Sequence, residues 1–382
     1  MTDRQTDRQT DRQTDRQTVR NYGIDLLRII CMIMIPVMHI LGHGGILDNV
    51  KPFSANYEIS WMFECFTYCA SNCFALITGY VCVGREVKYK NIINLNFQVV
   101  FYTICTTVIF GLIDRRTINL KIIIQALFPF AYSTYWYFSA YFGMFFFIPY
   151  FNFFINKIPQ DCYKKLLVSL LIIFSICPTL FHHDFASTSW GFSTLWLSVL
   201  YFIGAFLKKY GSAFSTTQCF ALYLFCALFT WASKVIIELL TNKVLGTPIG
   251  GGYLLQYTSP TILACAIFLL IGFSKIRLKG RVIRCIEFLA PLSFGSYLFQ
   301  EEPLIKNYLV EGNFEFAVNF NPLLFILFVF CSSVVIWIIG SFVDGLRQLV
   351  YKFLRVDFLA IKLEKVFVKF FYKISFLINN IG

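Results

Sequence analysis

Asp25, Arg28 and His39 lie in or at the edge of one apolar run, Ile24 to Leu41. Ionisable groups in a segment long enough to cross a bilayer are costly and mark function by default. At 100° per residue the three fall within a stripe about 60° wide, and Ile, Leu, Met, Cys and Val fill the other faces. Arg28 and His39 are about 16 Å apart along the helix axis at 1.5 Å per residue. A guanidinium near one face of the membrane can hold a phosphate or another anionic donor end. A neutral imidazole deeper in can take a proton from a hydroxyl. Pro36 lies between them, removes one helical hydrogen bond and frees the carbonyl of Met32. A plainer reading stays open: Asp25 and Arg28 as an ion pair at a helix end, and His39 as a hydrogen-bonded interior histidine.

Other candidates carry less. His43 follows His39 by four residues, and a His-x-x-x-His pair can bind zinc. No Glu follows the first His, and Gly42, Gly44 and Gly45 predict that the helix stops there, so no metal is expected. Cys65, Cys69 and Cys73 share one helical stripe, read as packing residues; the thirteen cysteines imply no disulfide framework. His182, His183 and Asp184 fall in a short solvated loop. Glu64 is a possible partner for the stripe. Lys234 and Glu238, four apart, are expected to pair. Trp136, Tyr297 and Gln300 are candidates for an acceptor side.

The elements that position these residues must be membrane helices. Hydrophobic residues make up 57% of the 382 positions and charged residues 14%, against about 25% charged in a soluble domain. The chain is therefore expected to be an all-α polytopic membrane protein. About ten spans are expected, near 23–42, 60–83, 92–113, 134–156, 165–181, 190–207, 217–240, 253–273, 284–300 and 321–344. Residues 117–130 are apolar but short, an interfacial or re-entrant piece. The first block is too long for a cleavable signal core and is expected to stay as an anchor. The net charge of +12 lies between the apolar blocks, which argues against nucleic acid as a partner. With the N-terminus in the cytoplasm, inner loops hold thirteen Lys and Arg and outer loops six, predicting N-in/C-in. The loop after span nine carries Glu301, Glu302, Glu311 and Glu315. Tyr132, Tyr135, Trp136 and Tyr137 suit the headgroup level.

Three regions follow: a 1–20 tail, a 21–345 membrane domain, and a 346–382 basic amphipathic tail suited to an anionic leaflet. The first tail is built on four full copies of Thr-Asp-Arg-Gln, too polar to form a core. The codons ACA-GAC-AGA-CAG would encode that tetrapeptide as a run of ACAG, a tract that can slip and switch the reading frame. The expectation is a phase-variable gene.

Asp25-Leu26-Leu27-Arg28, ten residues and then His39 resemble the first-helix signature of the acyltransferase-3 family. Phe74-Ala75-Leu76-Ile77-Thr78-Gly79-Tyr80 is similar to that family's second-helix end. Tyr135-Trp136-Tyr137-Phe138 through Pro149, Leu200-Tyr201-Phe202-Ile203-Gly204-Ala205 and Phe294-Gly295-Ser296-Tyr297-Leu298 resemble later segments. The likeness runs from about residue 21 to 345. It departs at Gln300, where the family often has His, and at Lys88, Lys90 and Asn91 to Asn94, where many members carry Arg-x-x-Arg.

The resemblance implies a ten-helix bacterial inner-membrane O-acyltransferase. The donor would be cytoplasmic acyl-CoA, usually acetyl-CoA. The acceptor would be a sugar hydroxyl of a surface polysaccharide, a lipopolysaccharide or its lipid-linked precursor. His39 would be the base or acyl relay. Arg28, oriented by Asp25, would hold the donor, with Arg85 and Lys88 as added point charges. The competing expectation is a glycolipid transporter or flippase without acyl chemistry. Transporters often show internal repeats, and none is found beyond the terminal tetrapeptide.

Overall fold

The computed structural model describes residues 20–379. The Thr-Asp-Arg-Gln repeat, and with it the expectation of frame switching, lies outside them. The described residues form helices and connections, with no strand among them. The principal helices are α1 (Tyr22–Leu41), α2 (Ala55–Thr67), α3 (Ala70–Cys82), α4 (Tyr89–Ile113), α5 (Trp136–Phe145) and α6 (Ile148–Lys157). Then come α7 (Gln160–Phe181), α8 (Thr194–Tyr210), α9 (Thr216–Leu245), α10 (Pro260–Lys275), α11 (Arg281–Glu301), α12 (Pro322–Leu354) and α13 (Val356–Asn379).

Each expected span coincides with one of these helices or with a consecutive pair. Seven, with α2 and α3 taken as one, are long and apolar enough to cross a bilayer; the α5–α6 pair, bent by 55°, makes eight. The two remaining segments, α8 and α10, are 17 and 16 residues long, short for a core of about 30 Å. The short piece between α4 and α5 is a helix, Leu120–Leu127, tied down where Thr103 Oγ1 donates to the Ala126 carbonyl at 2.7 Å.

α1 packs against α2, α3, α10, α11 and α12. Its apolar window is 67% buried, against 17% for α7. This placement encloses the polar stripe, as the cost of charge in lipid requires. Peripheral helices turn Val108, Ile109, Phe225, Ile236, Leu323 and Phe330 outward, a surface suited to hydrocarbon and not to water. Asn21 starts α1: its Oδ1 accepts from the Gly23 and Ile24 amides, and its Nδ2 donates to the Ser274 carbonyl at 2.8 Å.

Small residues set the closest crossings, as in other membrane bundles. A Cβ on Gly79 of α3 would stand 2.1 Å from the Tyr201 carbonyl oxygen of α8, and one on Gly204 would stand 2.0 Å from that of Leu76. The second-helix motif and the Leu200–Ala205 motif therefore meet each other. Gly204→Ala is expected to force the pair apart and to cost roughly 1–3 kcal/mol, the usual penalty of overpacking. Thermal melting in detergent reads this. Gly345→Ala is the control, since a Cβ there meets nothing within 4 Å.

After α12, α13 returns along α4. Lys90 Nζ is 3.2 Å from Asp357, Asn94 donates to the same carboxylate at 3.0 Å, and the Lys90 amide donates to Glu364 at 2.8 Å. The Lys90 ammonium, and after it the Asn94 amide, hold the Asp357 carboxyl below its usual range.

Candidate active site

The stripe on α1 faces the interior. Asp25, 4% exposed, accepts from Arg28 Nη1 and from Arg20 Nε, both at 2.6 Å. Asp25 thus orients two guanidiniums. It lies about 21 Å from His39 along the helix, beyond direct contact with the imidazole, so any catalytic part it has runs through the arginines it orients. Arg20, assigned to the tail from sequence, belongs to this site.

The guanidiniums line a cavity of about 370 Å³ together with Asn21, Tyr80, Arg85 and Lys208. Four of its lining residues are cationic and one, Asp25, is acidic. Arg28 and Arg85 line this one cavity together. Lys88, expected beside them, is the exposed residue just before α4 and does not line the cavity. Lys208, at the end of α8, does.

Arg28 also borders a second cavity of about 140 Å³, walled by Phe74, Leu95, Tyr137, Tyr141 and Phe294. Phe74, Tyr137 and Phe294 in turn border a third, of about 60 Å³, which contains His39, Trp136, Tyr257 and Tyr297. The three spaces form a series along one face of α1 and narrow toward His39. The Tyr137 hydroxyl is buried and makes no hydrogen bond among the described residues. The expected aromatic belt is corrected here. Tyr135 is fully buried, its hydroxyl donating to the Leu298 carbonyl at 3.1 Å, and Trp136 and Tyr137 wall the cavity. Only Tyr132 of the four is exposed.

At the far end, His39 sits between two residues of α11. Its Nδ1 is 3.3 Å from Gln300 Oε1 and its Nε2 is 2.9 Å from Glu301 Oε1. Gln300 is 2% exposed and does not line the cavity; it steadies the ring from behind. Glu301 is 7% exposed. From sequence it falls in the loop after span nine, whereas α11 runs one residue further than expected and ends on it. The following Glu302 is buried too and caps the next turn, accepting from the Leu304 and Ile305 amides at 2.8 and 3.1 Å. Burial pushes its carboxyl up to about 7. His43, in the turn after α1, brings Nε2 to 3.9 Å from Glu301 Oε1.

The remaining candidates lie elsewhere. Lys234 pairs with Glu238 at 2.8 Å and with Glu58 at 3.2 Å. Glu64 is buried on α2 and bonds to none of Asp25, Arg28 and His39. His182 stacks on Tyr253, with ring centroids 4.9 Å apart. Asp184 accepts from the Thr188 hydroxyl at 2.7 Å and from the Thr188 amide at 2.9 Å.

A half-buried guanidinium and a mostly buried imidazole, lining successive cavities in an apolar helical bundle, mark a multi-pass membrane protein with a polar site inside it. The family model described as an acyltransferase domain matches residues 21–342. The chain belongs to this acyltransferase-3 family and is a membrane acyltransferase. No curated protein and no solved structure matches it significantly.

Proposed function

We propose that the protein moves an acetyl group from cytoplasmic acetyl-CoA to a sugar hydroxyl of a surface polysaccharide, a lipopolysaccharide or a lipid-linked precursor in a bacterial inner membrane. One observation carries this reading: Arg28 and His39 stand at the two ends of one cavity series on a single helix face. The basic cavity suits the phosphates of CoA. The acyl thioester then points past Phe74 and Phe294 toward His39. The imidazole takes the acceptor hydroxyl proton as the oxygen attacks the thioester carbon and the CoA thiolate leaves. Glu301 offsets the charge that the ring gains, and Gln300 holds its orientation.

The sizes favour a short acyl group. A dry cavity of about 150 Å³ holds one benzene. The space at His39, about 60 Å³, fits two or three heavy atoms on that scale. The amino-terminal repeat supports a phase-variable gene, which uniform ACAG codons in the DNA would establish.

Membrane vesicles carrying the protein, given radiolabelled acetyl-CoA and lipid-linked glycan, test the reading. Label is expected on the glycan as an alkali-labile ester. A six-carbon acyl-CoA is expected to react at least about tenfold more slowly, each surplus methylene costing roughly 1–3 kcal/mol in a fitted pocket. Absence of ester, with unmodified glycan accumulating inside cells that lack the gene, overturns it in favour of transport.

A further inference from the structure

The cluster at the outer end of α1 offers more than a base. One nitrogen of His39, one of His43 and a carboxylate oxygen of Glu301 all lie within 4.8 Å of one another. No glutamate follows His39 on its own helix. The carboxylate comes instead from α11.

The contact between His39 and Glu301 is unusual for a hydrogen bond. Glu301 Oε1 stands 2.9 Å from Nε2 without meeting hydrogen-bond geometry to it or to any other described residue. Two ligands of one ion show this relation. With bonds of about 2.0–2.1 Å in tetrahedral geometry, donor atoms sit about 3.3 Å apart and neither points at the other. Gln300 completes the arrangement. Its Oε1 accepts from Nδ1–H at 3.3 Å, leaving the Nε2 lone pair for a cation. A metal-bound histidine usually gives its second ring N–H to such an oxygen. His43, with its side chain 47% exposed, is free to swing inward and close the set.

We propose that His39, His43 and Glu301 form a binding site for a divalent transition metal, zinc by the chemistry of two imidazoles and one carboxylate. Occupancy takes the Nε2 lone pair and fixes the ring. A zinc-bound protein therefore cannot use His39 as a base, and zinc acts as an inhibitor reached from the His43 side. The inhibition rests on the transfer reading given above; the binding does not.

The full-length protein in nanodiscs decides both. Cobalt(II), added as a spectroscopic substitute, is expected to give the intense visible bands of a four-coordinate site at about one ion per chain, displaced by zinc. Glu301→Gln and His43→Ala are each expected to weaken binding by at least the roughly 10–100-fold that loss of an outer-shell partner costs. In the vesicle assay His43→Ala keeps its transfer rate and resists zinc by the same factor. Absence of cobalt bands, or affinity unchanged in both variants, overturns the site whether or not transfer is seen. Equal zinc sensitivity of native and His43→Ala proteins overturns the inhibition.

Discussion

His39→Ala cuts acetyl transfer by roughly 10²–10⁴-fold, the contribution of a positioned general base. The fall is in kcat, with the KM for acetyl-CoA nearly unchanged, because the basic cavity around Arg28 lies about 16 Å away along the helix. Initial rates in vesicles over a range of acetyl-CoA concentrations measure both parameters. Arg28→Ala shows the opposite division, raising KM more than it lowers kcat. A His39→Ala protein that folds and transfers at the native rate sinks the assignment. So does one whose loss lies wholly in KM.

Lys234→Met is the substitution expected to damage the fold most. Lys234 is 1% exposed in α9, with Glu238 at 2.8 Å, Glu58 at 3.2 Å and the Tyr57 ring centroid at 3.8 Å. The Tyr57 hydroxyl donates to Glu238 at 2.9 Å. Removing the ammonium leaves Glu238, and part of Glu58, with no cation in an apolar setting. Breaking a buried pair from one side costs about 3–5 kcal/mol. Melting in detergent should drop sharply, and the share of monodisperse protein should fall with it. The double variant Lys234→Met/Glu238→Gln should recover much of the loss. If Lys234→Met melts like the native protein, the cluster is not a structural tie.

Much of the site could be read from residues because the physics was local. Three ionisable groups on one helical face of an apolar run are conspicuous, and helical geometry alone put them together. Glu301 was missed for a nonlocal reason. It is the last residue of α11, followed by Glu302 and then by Glu311 and Glu315, so by composition it reads as a loop acid. Only the packing of α11 against α1 turns it inward. Arg20 was hidden in the same way by the repeat before it. Tyr135, Trp136 and Tyr137 misled because a membrane-interface belt and a buried interior draw on the same amphipathic rings. Lys88 and Lys208 were interchangeable by charge; the direction of the loop after α3 separates them. The spans were found where hydropathy placed them, but the bend between α5 and α6 and the brevity of α8 and α10 depend on tertiary packing.

The narrowing toward His39 also bears on the energetics of the cell. If the proposed transfer runs from one side of a coupling membrane to the other, the protein must not short-circuit it. Phe74, Tyr137 and Phe294 border both of the inner cavities; apart from the Tyr137 hydroxyl, these rings offer a hydrated sodium or potassium ion nothing to replace its water, a loss of order several kcal/mol or more. An uncharged thioester end pays no such toll. On the proposed reading, the rings that would guide the acyl group would also keep the bilayer electrically tight during turnover.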